Sequence, residues 1–350
     1  MTAARRIAVV TGSRAEFGLL SPVMRAIDDH PDLDLRVLVA GAHLLPPELT
    51  VREVTATFDV AGRIPMQEPG ATSRGRDALA LGRGVSGFAA WLGEHPVEVV
   101  VVLGDRAPGI ADEAIRRAIT GLAHIHLAAT EQSAGRIVAM GELPARVHVV
   151  GSPAVDGLTR MVPLSDEAYD ALGAPEIIVL QHPLGRPPAA EQAVAACVLE
   201  ACRRAGRVLA IHPNHDPGRE GIMAAIRAAG LGECSHLPRP DFVGLLRRAR
   251  LLVGNSSAGL IECAALGVAS VNVGPRQAGR ERPDNVLDVP EPSPDDGSIV
   301  AQAIAAGLSR SGGTAPAGHP YGGGDAGRRT AAILATLDTE IHCLAKKSTF

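Results

Sequence analysis

The loop that follows residues 251–253 carries the strongest chemical signal in the chain. Its sequence, GNSSAGLIE at 254–262, joins an apolar run to a helical pattern through small and hydroxyl-bearing residues. Backbone N–H groups at a helix start, together with serine hydroxyls, can cradle a diphosphate. The next strand-end loop, GPRQAGR at 274–280, adds cations. Two such loops on one sheet edge predict a nucleotide-diphosphate site, with a glutamate for ribose hydroxyls, built from Ser256, Ser257, Glu262 and Arg276.

Two histidines also follow apolar runs, in the segments QHP around His182 and HPNHD starting at His212. Ligands of parallel sheets bind at the carboxyl ends of the strands, so two histidines on one edge are more suggestive than either alone. A lone histidine is more often structural. A zinc site from His212, His215 and Asp216 is conceivable, but neither a thiolate nor an HExxH framework accompanies it. We therefore predict no metal site.

The turn TGSRAE at 11–16 links the first predicted strand to a helix. Gly12 permits a tight turn there, and Arg14 could place a bidentate guanidinium on a phosphate. The alternative is an ordinary strand–helix turn with a solvated arginine. Because the turn is not a GxGxxG sequence, it argues against a nicotinamide cofactor.

Carboxylates follow the apolar run at 97–103. Asp105 comes at its end, as a general base, a ligand-binding group or a helix N-cap. Asp112 and Glu113 come soon after, beside two arginines. They form either a solvated helix face or, if two carboxylates converge on one cleft, a pair suited to proton abstraction and donation.

Short apolar runs alternate with helical periodicity almost from end to end, which predicts parallel sheets covered by helices on both faces. The series restarts near 161–175, so the 350 residues predict two Rossmann-like domains. They are a catalytic domain at 1–160 and a nucleotide-diphosphate domain at 161–324, with a last helix at 325–343 packing back on the first. The predicted strands are 7–10, 35–39, 97–103, 124–128, 147–150, 177–180, 208–211, 251–253 and 269–273, and the predicted helices include 19–28, 111–122, 189–204, 259–266 and 331–341.

Composition excludes several classes of protein. Lys and Arg number 34 against 38 Asp and Glu, a formal net charge of −4, which argues against a polybasic nucleic-acid binder. Aromatic residues are 2%, too few for base-stacking platforms to dominate recognition. No apolar run approaches the roughly 18 to 20 residues that span a bilayer, and the N-terminus lacks a signal-peptide pattern. The five cysteines form no CxxC pair. We expect a soluble, cytoplasmic protein with reduced thiols.

Taken in order, the motifs resemble the UDP-N-acetylglucosamine 2-epimerase family, and most closely its hydrolysing branch, which makes N-acetylmannosamine. The likeness extends over essentially the whole chain, so it is more specific than any single motif. The segments that carry it are VTGSRAEFGL at 10–19, GAHL at 41–44, LGDR at 103–106, GSP at 151–153, NSS at 255–257, GPRQ at 274–277 and PYGGG at 320–324.

The resemblance implies a glycosyltransferase-B-type α/β fold with the active site in a cleft between its two domains. The implied reaction removes the proton at sugar C2, expels UDP from C1 to give a glycal, and adds water. Cations and backbone dipoles can stabilise the leaving diphosphate, so no cofactor or metal is expected; a homodimer is expected by likeness alone. By position, the catalytic residues would be Asp105, Asp112, His182 and His212, and the nucleotide-diphosphate ligands would be Arg14, Asn214, Ser256, Ser257, Gly259, Glu262 and Arg276.

One departure from the family bears on the chemistry. Relatives have a helix, a strand and a His-Gly-Gly-Glu-like loop after the Gly-Asp-Arg turn, whereas here Arg106 runs almost directly into APGIAD at 107–112. The helix, the strand and the loop are therefore missing here, together with a glutamate that relatives use catalytically. Either the 350 residues omit a mobile segment, which we favour because active-site loops are often mobile, or the protein is truly shortened and a helix at 111–122 crosses between the flanking strands of one sheet. Arg117 also replaces a common histidine of the hydrolysing branch.

Three alternatives to a hydrolysing epimerase remain open. The first is a reversible epimerase that keeps the sugar on UDP. The second is a glycosyltransferase of the same fold, which needs an acceptor. The third is a catalytically degenerate nucleotide-sugar-binding protein, which a real shortening after Arg106 favours.

Overall fold

A computed structural model describes residues 4–46, 49–69, 74–104, 112–214, 216–293, 296–310, 319–340 and 346. The chain divides into two compact units. The first draws on residues 1–106, 115–156 and 325–350, and the second on 107–114 and 157–324. Each unit is an α/β structure built on parallel strands.

The described part of the first unit contains a four-stranded parallel sheet and a separate two-stranded one. The larger sheet has β1 (Arg5–Thr11), β2 (Leu33–Ala40), β3 (Val60–Ile64) and β4 (Val99–Val101), in the order β3-β2-β1-β4. The smaller pairs β5 (His126–Ala128) with β6 (Val147–Val149). The helices are α1 (Arg14–Asp28), α2 (Val51–Thr55), α3 (Arg74–Glu94), α4 (Asp112–Leu122, in this unit from Ile115), α5 (Glu131–Ala139) and α12 (Ala326–Thr336).

Helix α12 packs against α1 in the first unit. Its N-terminus is capped from a distant part of the chain, because the Asp156 carboxylate accepts the backbone N–H of Ala326 at 2.9 Å and of Gly327 at 2.7 Å. A methyl group at Gly327 would collide with the carbonyl of Pro22 in α1, so glycine permits the close approach of the two helices. The last described helix is thereby fixed to the first.

Strand β4 lies at the edge of its sheet and is partly exposed. Val100 and Val102 are 42% and 48% exposed, although strands of parallel sheets are normally covered on both faces. In the described residues β5 pairs with β6 and not with β4, so the prediction that α4 crosses between β4 and β5 in one sheet is wrong. The favoured explanation for the short junction, a segment omitted after Arg106, stays a prediction, and an intact mass above 36.1 kDa would support it.

The described part of the second unit contains a six-stranded parallel sheet. Its strands are β7 (Ile177–Leu180), β8 (Val208–Ile211), β9 (Gly232–Cys234), β10 (Leu251–Gly254), β11 (Ala269–Val273) and β12 (Val286–Val289), in the order β12-β11-β10-β7-β8-β9. Every residue of β7, β8, β10 and β11 is buried, because apolar clusters cover both faces of the sheet. The helices are α6 (Asp166–Ala171), α7 (Pro188–Ala205), α8 (Arg219–Ala229), α9 (Arg239–Leu246), α10 (Glu262–Leu266) and α11 (Ser298–Arg310).

The structure confirms all nine predicted strands, with some changes in length. The strand predicted at 97–103 spans only Val99–Val101. The helix predicted at 259–266 begins late, since residues Ser257–Gly259 form a 3₁₀ turn and α10 starts at Glu262. The helix predicted at 331–341 instead spans Ala326–Thr336, where the cap by Asp156 fixes its start. No helix in the described residues combines the length and the hydropathy needed to span a bilayer.

Candidate active site

The carboxyl edge of the sheet in the second unit gathers most of the predicted site residues. Strand β7 lies between β8 and β10, and β11 lies on the other side of β10. Because these strands are parallel, the loops that follow them start at the same edge. Those loops carry His182, His212, Asn214, Ser256, Ser257 and Arg276.

Asn255 joins three of these loops, and sequence reasoning assigned it no role. The residue is fully buried. Its side-chain amide makes a reciprocal pair of hydrogen bonds with the backbone of His182, accepting from the N–H at 2.7 Å and donating to the carbonyl at 2.8 Å. Its backbone carbonyl accepts from Nε2 of Gln277 at 2.8 Å and from Nη1 of Arg276 at 3.3 Å. The loops after β7, β10 and β11 are therefore held together by one residue.

Gly254 explains how β10 and β7 come so close at this point. Its φ of +137° is a conformation that side chains disfavour, and a Cβ there would collide with the carbonyl group of Leu180. The glycine of the sequence motif thus serves backbone packing between two strand ends.

The histidine of the loop after β7 has a defined protonation pattern. The backbone N–H of Asn214 donates to Nδ1 of His182 at 3.3 Å. A backbone amide is always a donor, so Nδ1 carries no proton and the neutral ring holds its proton on Nε2. His182 therefore presents a hydrogen-bond donor at Nε2.

His212, the second predicted catalytic histidine, is engaged differently. Its Nε2 lies 3.1 Å from Oε2 of Glu233 in β9, the strand next to β8. The nearby Asn214 side chain donates to Asp216 at 2.6 Å. The structure thus pairs His212 with a carboxylate and leaves His182 as the histidine connected to the serine loop.

The serine turn after β10 presents hydrogen-bond donors. The hydroxyl of Ser256 accepts from the N–H of Ala258 at 3.3 Å and caps the 3₁₀ turn. Within the described part of the chain, neither that hydroxyl nor the hydroxyl or N–H of Ser257 donates to any group. Gly259 is packed against Ser270, whose hydroxyl donates to its carbonyl at 2.8 Å. The turn can bind an anion, although α10 begins three residues later than the sequence predicts.

Glu262, the predicted ribose ligand, is buried at the first position of α10. Its Oε1 lies 3.5 Å from Nη1 of Arg239, at the start of α9. The arginine compensates the charge of the carboxylate in this buried position.

A partly buried ion-pair network around Glu191, which sequence reasoning missed, fixes the loop after β7. The guanidinium of Arg186 contacts Glu191 of α7 at 3.0 Å and Glu291 at 2.7 Å. Glu191 is 1% exposed and also accepts the backbone N–H of Leu184 at 2.7 Å. The hydrogen bonds that Arg186 donates to these carboxylates, above all to Glu191, raise the pKa of Arg186 despite the opposing effect of its burial. The loop between β7 and α7 is thus tied to the segment after β12.

In the first unit, the turn after β1 is braced by its own carboxylates. Ser13 caps α1, while the carboxylate of Glu16 accepts the N–H of Gly12 at 2.7 Å. Arg14, the predicted phosphate ligand, donates through Nε to Oε2 of Glu53 at 3.0 Å, and its Nη2 lies 2.9 Å from Oε1. The turn predicted to attract an anion therefore holds two carboxylates of this chain.

Beside this turn, His43 is completely buried between two threonines. Its Nε2 lies 3.0 Å from the hydroxyl of Thr11, and its Nδ1 lies 2.7 Å from that of Thr50. Burial lowers the pKa of His43 to about 4, against a smaller opposing effect of a hydrogen bond with the backbone of Ser13. The imidazole is therefore neutral at pH 7 and joins the end of β1 to the start of α2.

Two predicted catalytic carboxylates fall at the short junction of the chain. Asp105 lies outside the described residues, and Asp112 is the first residue of α4, with its side chain outside the described part. His215 of the conceivable zinc site also lies outside it, and the residues that the structure does describe contain no group of three metal-binding side chains. The described cysteines are free thiols, of which Cys202 and Cys263 are buried.

Comparisons with known proteins agree with this architecture. The family model described as UDP-N-acetylglucosamine 2-epimerase matches residues 106–335. A UDP-N,N'-diacetylbacillosamine 2-epimerase (hydrolyzing) of Legionella pneumophila is 31% identical over 321 residues, covering 81% of this chain and 85% of that protein. A UDP-N-acetylglucosamine 2-epimerase of Neisseria meningitidis serogroup B is 30% identical over 321 residues, covering 81% and 83%.

Solved structures share the fold. The crystal structure of a UDP-GlcNAc 2-epimerase from Neisseria meningitidis, bound to UDP-GlcNAc, has a TM-score of 0.76 at 15% identity and covers 94% of this chain and 99% of its own. A second, from Methanocaldococcus jannaschii in complex with UDP-GlcNAc and UDP, has a TM-score of 0.72 at 14% identity, with 94% and 99% covered. These similarities confirm the predicted α/β fold with Rossmann-like units. By the matched span and the two relatives, the chain belongs to the UDP-N-acetylglucosamine 2-epimerase family.

Proposed function

We propose that this protein is a hydrolysing 2-epimerase that acts on a UDP-linked N-acetylated amino sugar. The observation that carries the proposal is the set of donors at the carboxyl edge of the second unit. The hydroxyls of Ser256 and Ser257, the N–H of Ser257 and the Nε2 proton of His182 belong to loops that Asn255 holds together. Such a set suits the diphosphate of a nucleotide sugar.

In the proposed reaction, a carboxylate removes the proton from sugar C2 while the bond between C1 and the UDP oxygen breaks. The electron pair of the C2–H bond forms the C1=C2 double bond of a glycal, and UDP leaves as the anion. Water then adds across the double bond, with its hydroxyl at C1. A proton adds at C2 on the face opposite to the one from which the first proton was removed, which gives the free 2-epimer. Asp105 and Asp112 are the proposed carboxylates, by position in the family.

The donors described above would stabilise the charge that develops on the leaving diphosphate. Ser256, Ser257 and Gly259 would bind it through hydroxyl and backbone groups, with Arg276 and Arg14 as cations. Asn214 would fix the ring of His182, and Glu262 would accept from the ribose hydroxyls. His212, which is paired with Glu233, keeps the weaker claim to a catalytic role.

The names of the two relatives suggest two candidate substrates. One is a hydrolysing enzyme for a UDP-diacetylbacillosamine, and the other is a UDP-N-acetylglucosamine 2-epimerase. We propose UDP-N-acetylglucosamine as the first substrate to test and UDP-N,N'-diacetylbacillosamine as the second.

Proton NMR in D₂O tests the proposal directly. We expect free UDP and a free 2-epimer that carries deuterium at C2. Intact nucleotide sugar with deuterium at C2 would instead identify a reversible epimerase, and transfer to an acceptor without exchange at C2 would identify a glycosyltransferase. Absence of turnover with both UDP sugars and with a GDP sugar would overturn an epimerase function.

The second candidate function is nucleotide-sugar binding without turnover. It is favoured by the short junction after Arg106, by the exposure of Val100 and Val102, and by the lack of the glutamate that the family likeness implies. This candidate predicts that UDP raises the melting temperature in proportion to the logarithm of its concentration, while the NMR assay shows no product. Product formation would exclude it.

A cytoplasmic homodimer is proposed by family likeness. Light scattering coupled to gel filtration measures the assembly: a mass near twice 36.1 kDa is expected, and a mass near 36.1 kDa would contradict it.

A further inference from the structure

The loops around His182 contain a positioning device that extends the proposed function. The ring of His182 is half-buried, and its Nδ1 accepts from the backbone N–H of Asn214. For His182 to take up a proton from substrate through Nε2, the ring would need a proton on Nδ1, which would face another N–H group. The surrounding backbone therefore stabilises the form that donates from Nε2.

The backbone of His182 is itself fixed by Asn255. The two hydrogen bonds of the Asn255 amide, at 2.7 and 2.8 Å, saturate both backbone groups of His182. Such a double contact restrains the peptide on either side of the residue and hence the direction of its Cα–Cβ bond. Because Asn255 is fully buried, these hydrogen bonds are shielded from water, and losing one leaves an unsatisfied group.

The same residue adjoins the donors of the serine turn. Ser256 follows Asn255 directly in the chain. The backbone carbonyl of Asn255 accepts hydrogen bonds from Arg276 and from Gln277, which is 2% exposed. The side chain of Asn255 thus acts on the histidine loop, whereas its backbone acts on the cation loop. A side-chain substitution separates the two effects, because the backbone carbonyl remains.

We propose that Asn255 is a positioning residue whose buried amide holds His182 in the orientation and tautomer that donate a hydrogen bond from Nε2 to the leaving diphosphate. Asn255 itself does not touch the substrate in this scheme. The catalytic part of the inference rests on the proposed function, but the tautomer and its dependence on Asn255 do not.

The test compares Asn255→Asp with wild type. Aspartate has the same shape and can still accept from the His182 N–H, but its second oxygen faces the His182 carbonyl, which has lost its donor. The matched control is Tyr169→Phe, which removes another buried hydrogen bond of the same unit, from the Tyr169 hydroxyl to the carbonyl of Pro175 at 2.8 Å. Pro175 precedes β7, so this control lies at the opposite edge of the sheet.

Nitrogen-detected histidine NMR on ¹⁵N-labelled protein gives the spectroscopic readout, with His182→Gln for assignment. We expect a single neutral form in wild type and in Tyr169→Phe, with Nδ1 unprotonated and Nε2 protonated. In Asn255→Asp we expect averaged signals of two tautomers. In the turnover assay we expect kcat of Asn255→Asp to fall at least about tenfold while the Kd for UDP stays within about threefold.

The two possible failures are distinguishable. Averaged tautomers in Asn255→Asp together with an inactive wild type would overturn the proposed function and leave the positioning role. An active wild type, with Asn255→Asp unchanged in both tautomer and kcat, would overturn the positioning role alone. Should Asn255→Asp fail to fold, Asn255→Ser retains a hydroxyl for one of the two backbone groups and is subject to the same criteria.

Discussion

Arg14 and Glu53 form a two-point ion pair between the turn after β1 and helix α2, with the guanidinium Nε 3.0 Å from Oε2 and Nη2 2.9 Å from Oε1. A guanidinium uses the same fork of donors for a carboxylate and for a phosphate. The two side chains are 34% and 43% exposed, so the pair contributes at most about 1 kcal/mol to stability. If Arg14 binds the diphosphate as we propose, Glu53 competes with that ligand for its guanidinium.

Removing Arg14 and removing its partner should therefore have opposite effects on UDP binding. We expect Arg14→Ala to raise the Kd about tenfold, because one bidentate charge-assisted contact is lost. We expect Glu53→Gln to lower the Kd about twofold to fivefold, because the competing charge is gone. Isothermal titration with UDP at fixed ionic strength measures both. Weaker binding by Glu53→Gln would show that the glutamate orients Arg14 instead.

Acid should destabilise the protein through His43. The pKa of this histidine is lowered from 6.5 to about 4 by burial, so between these values the unfolded chain binds a proton that the folded chain does not. Stability from this group is complete above pH 6.5, falls as the pH drops towards 4, and levels off below it. A shift of this size corresponds to about 3 kcal/mol.

The variant His43→Gln isolates this contribution, because glutamine can still hydrogen-bond with the hydroxyls of Thr11 and Thr50 but does not titrate. We expect its urea midpoint to fall less than that of wild type between about pH 7 and pH 4.5. Equal losses for the two proteins would mean that other groups carry the acid sensitivity.

The contact between α7 and α8 should not tolerate a methyl group at Gly221, since its Cβ would collide with the carbonyl oxygen of Pro188. We expect Gly221→Ala to destabilise the protein by about 1–3 kcal/mol or more through overpacking. Gly135 in α5 has open space around the same position, so Gly135→Ala should stabilise by up to about 1 kcal/mol. Chemical denaturation compares the two, and a neutral Gly221→Ala would refute the close packing.

The ion-pair network at Arg186 should be costly to break on one side. Arg186→Met leaves the buried carboxylate of Glu191 uncompensated, and we expect a loss of about 3–5 kcal/mol. Arg204→Ala is the control, because the partner of Arg204, Glu200, lies in an exposed cluster on α7. We expect no measurable change there. Similar unfolding midpoints for both variants would show that the Arg186 network is not stabilising.

Sequence analysis predicted the elements whose apolar side chains indicate by themselves that the element is buried. Strands β7 and β8 are uninterrupted apolar runs, β11 is an apolar run with Ser270 and Asn272 in it, and the bounds predicted for all three agree with the structure to the residue. Strand β9, with the sequence GEC, has no apolar alternation, and the glycines of α3 hide its helical periodicity. Both elements are specified by their neighbours rather than by their own pattern.

The candidate site divides in the same way. The serine loop and His182 were found because their residue types suggest chemistry. Asn255 and the Arg186 network were missed because their partners lie 73 and 105 residues away in sequence, and no local pattern encodes such a pairing. Glu53 as the partner of Arg14 was missed for the same reason, at a separation of 39 residues.

The capping of α12 by Asp156 has a consequence for how the chain is made. The second unit is almost contiguous from residue 157 to 324, whereas the first recruits its final helix from residues that follow 324. During synthesis the second unit can complete its sheet before the ribosome has made α12. Until then, the face of α1 that packs against α12 is uncovered. The half of the protein that is translated first is thus the half that is finished last.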